Sequence, residues 1–67
     1  MDNNSLKYIH ALLAEVFSHG NPIDKADVLS MLRVFSQPEK AELWGYLGQH
    51  DSSLREQMKA FKAVDAA

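Results

Sequence analysis

The chain has 67 residues, room for one domain over 1–67, and its 46% hydrophobic content is too high for a disordered chain. Seven Lys/Arg against nine Asp/Glu leave a formal net charge of −2, so the strongly basic footprint of a tight nucleic-acid binder is absent. There is no cysteine, which excludes disulfides and thiolate metal sites and is compatible with a reducing cytosol.

The first predicted element is a helix over about 5–19, "SLKYIHALLAEVFSH". Leu6, Ile9, Leu12, Leu13, Val16 and Phe17 recur at a helical period, with Lys7, Glu15 and Ser18 opposite. Asn4 or Ser5 is the expected N-cap. Gly20 is expected to close the helix in a left-handed conformation, and Pro22 prevents simple continuation.

A second helix is expected over about 22–35, capped by Asn21 with Pro22 at its first position. Asp24 and Asp27 lie near its positive dipole end. Val28, Leu29, Met31, Leu32 and Phe35 cover one broad face, while Ile23 and Val34 point elsewhere. A helix apolar on most sides is expected to be central or to lie between two subunits.

A third helix is expected over about 37–47 and a fourth over about 53–64. Ser36 and Glu39 form a capping box, with Pro38 in the first turn where its missing N–H costs little. Gly48 reads as the left-handed terminator, and Gly45 as a gap through which another helix approaches. Asp51, Ser52 or Ser53 caps the last helix, Ser53 with Glu56 making a second box. Leu54, Met58, Phe61 and Val64 form its apolar seam, with Arg55, Lys59 and Lys62 on the other side. The expectation is an all-α fold of three to four short helices in an antiparallel bundle, completed by dimerisation. A chain this small struggles to cover two apolar faces of one helix alone. The expected homodimer interface is Ile23, Met31, Val34 and Phe35.

The chemistry is sparse. A helical zinc pair needs histidines at i,i+4 spacing, and His10, His19 and His50 do not offer it. They read as ordinary surface histidines, with Asp51 a cap and no metal. The serines sit at caps or polar positions, no nucleophile elbow or phosphate loop occurs, and so neither an enzyme, a cofactor nor a small-molecule substrate is expected. "MDNNSLKYIH" does not read as a secretory signal, and no apolar run approaches membrane-spanning length, which together favour a cytoplasmic protein.

Protein recognition remains. Arg33, Trp44, Tyr46 and His50 are the candidate partner-binding residues, because Arg, Trp and Tyr are enriched at interface hot spots. In "ELWGYLGQHD", Leu43, Trp44 and Leu47 are expected to anchor the core, with Tyr46 exposed and His50 at the rim. Met31, Phe35 and Trp44 at helical spacing are more often plain core. The expected function is a small regulatory protein-binding module, an adaptor, inhibitor or anti-activator, of the type that phages and plasmids encode. The alternatives are a helix-turn-helix regulator, disfavoured by Glu39 and Glu42 at the start of the third helix, and a structural subunit of a larger assembly. Chelation is expected to leave the melting temperature unchanged. A structural zinc would contribute on the order of 10 kcal/mol to folding, so helicity lost in EDTA and regained with zinc would contradict this reading of the histidines.

Overall fold

The computed structural model describes the backbone of residues 1–66 and the side chains of 1–61. Its elements are α1 (Asn3–His19), α2 (Pro22–Met31), a 3₁₀ turn (Leu32–Val34), α3 (Gln37–His50) and α4 (Ser52–Ala66). Among the described residues there is no strand, and no helix is long and apolar enough to cross a membrane. The side chains of Lys62 and Val64, expected on opposite sides of α4, lie outside the described residues.

Local capping sets most helix starts. α2 begins as expected: the Asn21 side chain accepts from the Asp24 N–H at 2.9 Å, and Asp24 reaches back to the Asn21 N–H. The Ser36–Glu39 box also forms. α1 starts earlier than expected. Its N-cap is Asp2, whose carboxylate accepts from the Ser5 N–H at 2.7 Å; a carboxylate there also favours the helix dipole. α4 starts at Ser52 because Asp51 is its cap, so Ser53 and Glu56 make no box; Glu56 lies 3.7 Å from Lys59 instead.

Between α2 and α3 the helix stops short of the expected residue 35. Pro38 has no N–H for the carbonyl of Val34 and would clash with it, so one α-helix cannot run through. The chain tightens into the 3₁₀ turn, becomes extended at Phe35 (φ −75°, ψ 146°), and restarts at the Ser36 cap.

The glycines behave differently from the sequence expectation. No glycine adopts a positive φ. Gly20 closes α1 in extended backbone, and its requirement is steric: a Cβ there would meet the Val16 carbonyl oxygen at 2.5 Å. Gly48 does not end α3, which continues to His50. It makes room for Arg55, whose Nη1 would collide with a Cβ at that position. Gly45 faces open space, with no atom within 4 Å of a Cβ added there, so no helix approaches through it.

The core is Leu6, Leu13 and Phe17 of α1, Val28 of α2, Leu43 and Leu47 of α3, and Leu54 and Met58 of α4. Phe61 closes one end, edge-on to Phe17 at 6.0 Å. Each leucine-sized side chain so buried stabilises the fold by roughly 1.5–3 kcal/mol. The contribution of α2 is small: Val28 is its single buried residue, and it packs chiefly on α1. Within the chain, then, α2 is peripheral rather than central, because much of its apolar surface faces outward.

Gly45→Ala is expected to stabilise the fold by about 0.5–1 kcal/mol, since alanine lowers the entropy cost of the helix and meets nothing. In a domain this size that raises Tm by roughly 4 °C. Gly48→Ala should gain less, because it pushes Arg55 aside. Thermal melts of the two variants against the parent check both, and a lower Tm for Gly45→Ala would contradict the open position.

Candidate functional site

Two neighbourhoods hold the residues singled out from the sequence. The first is polar and aromatic, where α1 meets the α3–α4 junction. Asp51 accepts from the Leu54 N–H through Oδ1 at 3.2 Å, and from the His10 Nε2–H through Oδ2 at 2.9 Å. Its own N–H donates to the Leu47 carbonyl at 2.7 Å. His10 and Leu54 both hold the Asp51 carboxyl below the usual carboxylate range, the His10 bond being the larger cause.

The ring of His10 lies edge-on to Tyr46 at 5.8 Å, and Tyr46 stacks at a tilt on His50 at 4.3 Å. Tyr46 is therefore half-buried between two imidazoles, not the outward aromatic expected, while His50 is exposed. Trp44 is also half-buried, with the Arg55 guanidinium 5.0 Å over its ring. Arg55 leaves the solvent face assigned to it and becomes a lid on Trp44. These aromatics mainly serve one another. Among the described residues no three His, Asp or Glu side chains converge as a set of metal ligands.

The second neighbourhood is an apolar groove of about 360 Å³ between α1 and the end of α2 with its 3₁₀ turn. Tyr8, Ile9 and Leu12 form one wall; Met31, Val34 and Phe35 form the other. No polar atom is exposed in it. Three of its residues are unusually bare for their size: Tyr8 is 71% exposed, Met31 57% and Val34 84%. Of the expected interface residues, the structure thus brings Met31, Val34 and Phe35 together. Ile23, 71% exposed, does not line the groove, and Arg33 is exposed in the 3₁₀ turn between Leu32 and Val34.

Sequence reasoning passed over Tyr8, and it read His10 as a surface histidine without its bond to Asp51. Tyr8 sits at i−4 from Leu12, a spacing that places it on the flank of the apolar stripe, and that was the available signal. His10 had none, since its partner is distant in sequence. No protein-family model, curated protein or solved structure matches the chain.

The junction generates a pH prediction. Asp2, Glu39 and Asp51 cap helices, and each carboxyl is held below its ordinary range by the N–H groups it accepts from. A lowered folded pKa means that stability is fully present above the unfolded value, about 4, and is lost as pH falls through the folded values. Urea midpoints should fall as pH drops below about 4. Asp51→Asn keeps an acceptor but cannot ionise, so its acid decline should be shallower. An equally steep decline in that variant would remove Asp51 from the account.

Proposed function

We propose that this chain is a small regulatory protein-binding module, an adaptor, inhibitor or anti-activator that works by occupying a surface on another protein. The observation that carries the reading is the apolar groove with Tyr8, Met31 and Val34 left bare on its walls. Scattered exposed apolar residues need no explanation, but a contiguous apolar trough is the usual mark of an interaction site. Large aromatic and methionine side chains suit that use, since they give broad contact area at low rotamer cost. In this reading the helices pack antiparallel, the module works in the cytoplasm as a homodimer joined along α2, and Arg33, Trp44, Tyr46 and His50 offer a second contact edge.

The test compares the chain with its Val34→Glu variant as bait in extract of the native host. Val34 is solvent-exposed, so the variant should keep its helical circular dichroism. A stoichiometric protein retained by the parent and lost from the variant is the expected result. Identical retention by both baits would contradict the groove as the binding face. Specific duplex binding at about 10⁻⁸ M near physiological salt would replace the reading with a DNA regulator.

A further inference from the structure

We infer that the occupant of the groove is a second copy of this chain, docked across a two-fold axis that lays the two grooves antiparallel. The inference rests on the reading of the groove as a protein-binding face and names what covers it, so that a host protein is held by the assembled dimer and not inside the groove.

The first argument is shape. A two-fold interface uses one patch on both partners, and a patch that holds both a projection and a recess beside it can complement itself. This one holds both. Val34 stands almost fully exposed on the lip, beside the trough walled by Tyr8, Leu12 and Phe35. Rotated onto a copy, each Val34 enters the other's trough.

The second argument is area. Tyr8, Met31 and Val34 together expose on the order of 400 Å², given that an aromatic side chain alone carries about 150–250 Å². With the half-buried Ile9, Leu12, Leu32 and Phe35 added, the patch approaches the roughly 500 Å² per partner at the low end for a specific interface. That is most of what one face of a chain this small can offer.

The third argument is charge, and it selects the orientation. The groove runs on into a shallower depression of about 420 Å³, the two sharing Leu12, Val28 and Met31. The far end of that depression is lined by Glu15, His19 and Asp24. The 3₁₀ turn at the opposite end, whose Leu32 and Val34 line the groove, also carries the exposed Arg33. Among the described residues, neither Arg33 nor Glu15 has a charged partner in its own chain. A two-fold axis along the groove would set acid against acid. An axis across it sets Arg33 of each copy near Glu15 and Asp24 of the other.

Sedimentation equilibrium across the micromolar range tests this with four samples. The parent should sediment as a dimer. Val34→Glu should sediment at one chain mass while remaining helical. Arg33→Glu alone and Glu15→Lys alone should each weaken association roughly three- to tenfold, the scale of exposed ion pairs counted twice by symmetry. An equimolar mixture of these two single variants should associate more tightly than either variant alone, because both reciprocal 33–15 pairs then carry opposite charges. If Val34→Glu fails to fold, the mixture still decides, since neither charge variant touches the apolar walls. A parent of one chain mass, a helical Val34→Glu dimer, or a mixture no tighter than its components would each overturn the proposal. If the parent is monomeric yet captures a host protein that Val34→Glu loses, the self-docking inference fails while the protein-binding reading stands.

Discussion

The Asp51 carboxylate and backbone hold together the corner at which α1, α3 and α4 meet. One residue takes the last turn of α3, the first turn of α4 and the middle of α1, and satisfies a group from each. Two helices meeting without a glycine hinge leave orphan N–H and C=O groups at the corner, which need partners or water. Asp51 meets that need with one carboxylate and one N–H, and the His10 bond ties the corner to α1. Leu47 and Leu54, on either side of the corner, are then set facing the same core. Tyr46 packs edge-on against the His10 ring and stacks on His50, so the aromatic residues support the junction that orients the bundle.

What was legible in the sequence was local. Asn21 before Pro22, and Ser36 before Pro38 and Glu39, place helix starts because their hydrogen bonds span three residues and owe little to the rest of the fold. The seam of Leu54 and Met58 was equally plain from its spacing. What was illegible depended on distant partners. Gly48 reads as a terminator until Arg55 is known to lie against it, and the same residue type at Gly45 has no neighbour at all. Asp51 reads correctly as a cap, but its second acceptor oxygen belongs to a histidine far back in the chain.

The candidate site divided the same way. The apolar residues of the second helix were visible as an excess, yet the pattern could not say that the excess faced outward, nor that α1 supplied the other wall. Tyr8 enters only because α2 returns alongside α1. In the aromatic cluster nominated as a contact edge, Trp44 packs with Arg55 and Tyr46 with two histidines. The ends of α2 differ in character for a related reason: a full capping box fixes its start, while its finish merely tightens and is held by no side chain.

That loosely held α2 bears on the order in which the molecule opens. With Val28 its single buried residue and Leu29 half-buried beside it, α2 is expected to open at a lower free energy than the α1–α3–α4 core. Its amides are then expected to exchange with solvent by detachment of α2 rather than by global unfolding. A ligand on its outer face therefore closes this opening as it binds. Part of its binding free energy is spent on ordering α2, and slower amide exchange appears along the whole helix, not just at the residues touched.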